Sequence, residues 1–363
     1  MRRALVLAGR GAATAAPNPK VGAVVLAADG RALGEGWHER AGGPHAEVVA
    51  LAAAGESARG ATLVVTLEPC AHTGRTAPCV DAVLAAGIRR VVACHRDPDP
   101  RTCGAGFARL AAAGVEVTSG AEAERAIELN LPYLVQRVLG RPAVTLKWAA
   151  SLDGKIATAA GESRWITGPR ARRRALELRE EHDVILVGSG TVLADDPRLT
   201  RRLGRAPGPI VRVVLDRRLR LPASARLLRE PGPLLVYTES EDVERGAPLA
   251  AAGAEIVTLA RVEPGAVLAD LARREVQSVL VEGGGEVAAS FLETGLWDRA
   301  VAFVAPLLVG GARAPTPLGG AGSERLAAAA GVARLRVRRH GSDLELTGIR
   351  ERCLRELSSS VGV

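Results

Sequence analysis

A chain of 363 residues, 47% hydrophobic and 24% charged, is long enough for two domains with separate cores and too long for a small disulfide-stapled fold. Its net charge is +8, and all but Lys20, Lys147 and Lys155 of its 48 basic residues are arginines, a skew that reads as coding bias before it reads as nucleic-acid binding. There is no membrane-length apolar run and no signal-peptide pattern, and five scattered cysteines (Cys70, Cys79, Cys94, Cys103, Cys353) point to a reducing cytoplasm, where a close pair means metal or catalysis more often than a disulfide.

In chain order, the first part alternates helical and strand patterns. Arg2 to about Arg10 reads as a short helix, "VGAVVLA" (21–27) as an apolar strand after the turn "PNP", and "EGWHERAG" as a lead into the helix "PHAEVVALAAAG", closed by Gly55. "ATLVVTLEP" (61–69) is a buried strand, "VDAVLAAGI" a helix, "RRVVAC" a strand, "GAGFARLAAAG" a helix ending at Gly114, and "VEVTSG" a strand. A helical tail, "AEAERAIELNLPYLVQRVLGRP", ends at Gly140-Arg141-Pro142, where we place a boundary between domains 1–140 and 141–363.

Beyond it the pattern restarts with the strand "AVTLKWAASLDG", a helix from about Pro169 to Glu181, the strand "DVILVG" and a turn carrying "TVLADDP". The basic run "PRARRR" opening that helix reads as a solvated face. Strands follow at "IVRVVLD", "PLLVYT", "EIVTLA" and "SVLVEGG", then the helix "EVAASFLETGL" and the hairpin-like "RAVAFVAPLLVGG" and "LRVRRHGSDLELTGI". Strand–helix alternation in both halves predicts the α/β class, with sheets covered by helices.

The first chemistry lies in "HAE" (45–47) and "LEPCAHTGRTAPC" (67–79). One imidazole, His45, and two thiolates, Cys70 and Cys79, neutralise Zn²⁺ and leave its fourth tetrahedral position open, which makes hydroxide available near neutral pH. Glu47 is the natural proton shuttle. Because positions i and i+2 face opposite sides of a helix, His45 and Glu47 converge only if His45 sits at the helix entry, which Pro44 favours. Cys79 is expected to open its own helix, where the dipole favours a thiolate. H-x-E…P-C-x-x-C is the signature of zinc nucleobase deaminases, here stretched to Pro69-Cys70-x₈-Cys79.

The stretches "TAAPNPKVGAVV", "GEGWHERAGGPHAEVVAL", "VTLEPCAHTGRTAPCVDA" and "DPDPRTCGAGFARLAAAGVEV" resemble the deaminase half of the bifunctional riboflavin-biosynthesis deaminase/reductases, and the likeness runs to about residue 350. It implies a cytidine-deaminase-like α/β/α domain followed by a dihydrofolate-reductase-like α/β domain. The first would hydrolyse the amino group from 2,5-diamino-6-(ribosylamino)-4(3H)-pyrimidinone 5′-phosphate. By the same resemblance, His45, Cys70 and Cys79 hold zinc, Glu47 moves the proton, Asn18 helps hold substrate, and His72 and Arg75 face its phosphoribosyl end. Asn18 between two prolines reads equally as a turn residue. His38 and His95 lie outside the motif and read as structural or surface positions, and Cys94 and Cys103 as small apolar ones. Asp99 stands where the family commonly has asparagine.

The second half lacks G-x-G-x-x-G, but "SVLVEGGGEVAAS" (278–290) places a glycine run between strand and helix, where main-chain N–H groups can cradle a diphosphate. With "LKWAASLDGKIAT", "GESRWITG" and "VGSGTVLADDPRLT" it is similar to the family's NADPH-dependent reductase half, which implies reduction of the ribosyl group to ribityl. Carried over by motif, Ala149, Ser151, Trp165, Thr191, Asp195 and Gly284, Gly285, Glu286, Val287, Ala288, Ala289, Ser290 line the cofactor. Ser163, Arg179, Leu199, Arg202 and Glu282 contact substrate, the arginines suiting its phosphate. Lys147, also placed at the substrate, Asp195 and Glu282 are the candidates for proton delivery. Arg217 replaces a small hydroxyl residue usual in the family.

The expected partners are a small phosphorylated pyrimidine and further copies of the chain in a homo-oligomer, with neither nucleic acid nor membrane. A nucleic-acid deaminase would be expected to show the short P-C-x-x-C spacing, and a non-catalytic zinc module has no need of Glu47.

Overall fold

The computed structural model describes residues 1–74, 77–206 and 208–363, which divide into two units: Met1–Gly140 with Leu354–Val363, and Arg141–Cys353. In the first, β1 (Gly22–Leu26), β2 (Ala32–Trp37), β3 (Thr62–Val65), β4 (Arg90–Ala93) and β5 (Glu116–Thr118) form a sheet in the order β2-β1-β3-β4-β5. It is antiparallel across β2-β1-β3 and parallel from β3 to β5. The helices are α1 (Arg2–Gly9), α2 (Ala46–Ala54), α3 (Cys79–Ala85), α4 (Ala105–Ala112), α5 (Ala123–Leu129) and α6 (Leu131–Leu139).

Side chains alternate across a strand, and β1 shows the consequence. Ala23 and Val25 join a core with Ala46 and Ala50 of α2, Val80 and Val83 of α3 and Leu110 of α4, while Val24 packs on the other face with Ala4 and Leu7 of α1. β2 forms where the sequence reading had only a lead-in. Its glycines serve packing: a Cβ on Gly36 would lie 2.5 Å from the Ala46 carbonyl oxygen, so α2 can sit directly on the strand.

The second unit carries β6 (Ala143–Ser151), β7 (Val184–Gly188), β8 (Val211–Leu215), β9 (Leu234–Thr238), β10 (Ala254–Thr258), β11 (Ser278–Val281), β12 (Arg299–Ala305), β13 (Val332–His340) and β14 (Asp343–Arg350). Their order is β10-β9-β8-β7-β11-β6-β12-β14-β13, parallel as far as β12 and antiparallel across β12-β14-β13. Strands β7 and β11 are wholly buried, as uninterrupted apolar runs in a parallel sheet should be. The helices are α7 (Pro169–Glu180), α8 (Ser189–Asp195), α9 (Val243–Ala251), α10 (Pro264–Arg273) and α11 (Gly285–Glu293), and the last helix, α12 (Glu351–Ser360), begins in this unit and runs into the first. Helix α8 occupies the segment read as a turn.

The second domain was expected to run to residue 363, but Leu354–Val363 groups with the first unit. Leu357 and Val361 are buried, the Arg96 N–H donates to the Val361 carbonyl, and the Arg96 guanidinium donates to the Ser360 carbonyl. No helix among the described residues is long and apolar enough to cross a membrane.

Candidate active sites

Helix entry decides the geometry of the first site. His45 is the N-cap of α2 with extended backbone (φ −75°, ψ 158°), which lets its ring and Glu47 of the first turn converge. Cys79 is the first residue of α3, behind the N-cap Pro78. The ligand atoms of His45, Cys70 and Cys79 all lie within 4.8 Å of one another. His45 Nδ1 is 3.0 Å from Cys79 Sγ and 3.6 Å from Cys70 Sγ, and the Cys79 N–H donates to Cys70 Sγ at 3.3 Å. Hydrogen bonding from the Cys79 thiol, joined by His45, draws the Cys70 pKa down to about 4 against its burial. Glu47 is buried, its Oε2 has no hydrogen-bond partner among the described residues, and burial pushes its pKa up to about 7.

Neighbouring loops complete this face. His72 Nδ1 lies 3.2 Å from Thr102 Oγ1, and the Asn18 amide nitrogen lies 3.0 Å from His38 Nε2. His38, which the sequence placed outside the site, is buried with its ring edge-on to that of His45, centroids 5.4 Å apart. Arg75 lies outside the described residues. Glu68, next to the Pro69-Cys70 pair, is a second functional position outside the motif. Its buried carboxylate accepts the main-chain N–H groups of Asp97, Gly104, Gly106 and Phe107 at 2.9–3.2 Å, tying the loop that carries Thr102 to the segment after β3 that carries Cys70. Only glycine fits at 106, where a Cβ would fall 2.0 Å from the Pro69 carbonyl oxygen. A carboxylate beside a buried strand was the available signal, because so short a charged side chain stays buried only when fully hydrogen-bonded.

In the second unit the named residues gather at the carboxyl ends of β6, β7 and β11, the edge where open parallel sheets bind ligands. Gly284 caps α11, and its N–H donates to Thr191 Oγ1 on α8 at 3.1 Å. Ser163 Oγ lies 3.4 Å from Asp195 Oδ1, and Arg164 reaches the same carboxylate at 3.4 Å. Trp165 is 68% exposed, with the Arg172 guanidinium 4.5 Å from its ring centroid. Arg179 grips Glu282 through two bonds and donates a third to the Thr200 carbonyl, while Lys147 Nζ sits 3.8 Å from Glu282 Oε2. Burial alone would raise the Glu282 pKa, but Arg179 and Lys147 outweigh it and hold it at about 2. Arg202 donates to Thr200 Oγ1, its N–H being held by Glu180. Leu199, Ala288 and Ala289 are buried.

Residues 1–95 match the cytidine and deoxycytidylate deaminase zinc-binding region, and residues 142–345 match the RibD C-terminal domain. The riboflavin biosynthesis protein RibD of Aquifex aeolicus is 45% identical over 311 residues, covering 85% of this chain and 87% of that protein. The chain belongs to the RibD family of riboflavin biosynthesis proteins. The RibD protein of Bacillus amyloliquefaciens is 42% identical over 96% of this chain and 95% of its own. RibD of Acinetobacter baumannii in one crystal form superposes with a TM-score of 0.83 at 38% identity, covering 96% of this chain and 97% of that one. The diaminohydroxyphosphoribosylaminopyrimidine deaminase/5-amino-6-(5-phosphoribosylamino)uracil reductase of Thermotoga maritima gives 0.83 at 37% identity with the same coverage. As a RibD protein, the chain is a bifunctional deaminase/reductase, with a cytidine-deaminase-like first domain and a RibD reductase domain second.

Proposed function

We propose that the first unit deaminates 2,5-diamino-6-(ribosylamino)-4(3H)-pyrimidinone 5′-phosphate and that the second reduces the ribosyl group of the product with NADPH, giving 5-amino-6-(ribitylamino)uracil 5′-phosphate. The observation that carries the first step is the convergence of His45, Cys70 and Cys79 within 4.8 Å beside the orphaned Oε2 of buried Glu47. Two sulfurs and one imidazole fit zinc, and three protein donors are the number a catalytic site uses. Zinc held there supplies, when bound, the Lewis acidity that makes water nucleophilic at neutral pH. Glu47, poised near neutrality, takes the proton from the attacking water and returns it to the departing amino group, which leaves as ammonia. Asn18 and His72 hold the substrate, with Arg75 at its phosphate end.

For the second step, the main-chain N–H groups at the start of α11, with Thr191, Asp195 and Trp165, form the cofactor face, and NADPH supplies a hydride to C1′ when bound. Arg179 has given its fork to Glu282, so it serves the site by fixing that carboxylate, and Arg202 takes the phosphate role. Glu282 is held at about 2 by Arg179 and Lys147, and Lys147, Asp195 and Glu282 are the groups placed to move the proton as the sugar accepts hydride.

The assembly we propose is a homo-oligomer in the cytoplasm. The edge strand β13 leaves Leu335 and Val337 about 60% exposed, and none of the five cysteines is in a disulfide; sedimentation analysis tests the assembly. The deciding assay supplies the diaminopyrimidinone phosphate and follows ammonia and NADPH together. Ammonia release preceding NADPH oxidation is expected; NADPH oxidation with no ammonia release would overturn the order of steps.

A further inference from the structure

Asn18 sits in a loop whose main chain is fixed from two sides. Its own N–H donates to the Ala15 carbonyl at 2.9 Å. Two residues on, the buried Asn130 clips Lys20 on both sides of the peptide, Oδ1 accepting from the Lys20 N–H at 2.8 Å and Nδ2 donating to the Lys20 carbonyl at 2.9 Å. What the loop does not fix is which way the Asn18 amide faces. That is decided by His38.

His38 Nδ1 lies 3.0 Å from the Pro44 carbonyl oxygen, which can only accept, so Nδ1 carries the ring proton. With the one proton of a neutral imidazole on Nδ1, Nε2 is a bare acceptor. The Asn18 atom 3.0 Å from Nε2 must then be the NH₂, because the flipped amide would set two lone pairs against each other. Asn18 Oδ1 is thereby turned away from His38 and offered as an acceptor from a half-buried loop.

We infer that His38 is a positioning residue of the deaminase, orienting Asn18 so that its carbonyl oxygen accepts from a donor N–H or O–H of the substrate, and tying that choice to the Pro44 carbonyl one residue ahead of the helix entry at His45. The inference rests on the reading of Asn18 as a substrate contact. His38 touches no reacting atom in this scheme and acts through Asn18.

The test is a double-mutant cycle on ammonia release, with Asn18→Ala, His38→Leu and the pair combined. One hydrogen bond sets the expected size, about a 5- to 10-fold rise in KM for each single variant. Zinc content and the rate of NADPH oxidation on the deaminated intermediate are expected to stay unchanged. In a Glu47→Gln background, where turnover is stopped, the substrate Kd should move by the same factor. The double variant should be no worse than Asn18→Ala alone. His38→Gln keeps one donor and one acceptor, and should recover most of the loss while guarding against a leucine variant that fails to fold. Multiplying effects in the double variant would show that His38 acts independently and would overturn the inference, as would loss of zinc in His38→Leu or a glutamine variant as impaired as leucine. If Asn18→Ala alone is silent, the substrate contact itself fails, and the inference with it; the zinc and Glu47 assignments would stand.

Discussion

The Arg179 guanidinium meets the Glu282 carboxylate edge to edge, Nε to Oε1 at 2.8 Å and Nη2 to Oε2 at 2.9 Å, with both side chains largely withdrawn from water. Because the folded pKa of Glu282 is about 2 against an ordinary 4.5, the stability it contributes is fully present above about pH 4.5 and is lost as pH falls through about 2. Glu282→Gln leaves Arg179 and Lys147 without their counter-charge and should destabilise the second unit by about 3–5 kcal/mol at pH 7. Urea unfolding at pH 7 and pH 3 checks this: the gap between parent and variant should narrow in acid. A gap that stays constant with pH would rule out the low pKa.

Glu47→Gln should lower ammonia release by about 10²- to 10⁴-fold, the span of general acid–base catalysis. Metal analysis should still find about one zinc per chain, since the three donors are untouched. NADPH oxidation on the deaminated intermediate should proceed as before, and a variant that deaminates normally would refute the role given to this carboxylate.

Cys79→Ser removes one of two thiolates from a fully buried position. Zinc content and ammonia release should fall together, while cofactor binding in the second unit persists. Dialysis against a strong chelator should reproduce that pattern in the parent chain, with ammonia release restored by added zinc.

Thr191→Val deletes the acceptor for the Gly284 N–H without changing side-chain volume much. At about 0.5–1.5 kcal/mol for one hydrogen bond, the Kd for NADPH should rise by roughly 3- to 10-fold with little change in the rate at saturation. Fluorescence titration of the cofactor reads this directly.

The parts of these sites that rest on local pattern were legible in the sequence. "HAE" behind Pro44 predicted His45 at a helix entry, and the structure has it as the N-cap of α2. Likewise Cys79 opens α3. What escaped was whatever depends on distant partners. Strand β2 was hidden because Gly34 and Gly36 weaken a strand pattern, and they are present for the close approach of α2. Asp-Asp-Pro made α8 read as a turn, although Asp196 in the left-handed region simply ends the helix. The single helical tail before Gly140 breaks at Asn130, whose side chain is given to Lys20. His38 looked peripheral because its partners, Asn18 and Pro44, belong to two different loops. The pairing of Arg179 with Glu282 was equally hidden, because the two lie 103 residues apart in the chain.

The grouping of Leu354–Val363 with Met1–Gly140 sets an order of events during synthesis. Domains emerging from the ribosome usually fold first at the amino end, at about 5–20 residues per second. Here the amino-terminal unit must wait, with the surface that receives Leu357 and Val361 uncovered, while the whole of Arg141–Cys353 is translated. That interval is tens of seconds at such rates. A nascent chain stalled after Cys353 would therefore carry a finished reductase sequence and an unfinished deaminase, and the deaminase would be the part exposed to proteases and chaperones.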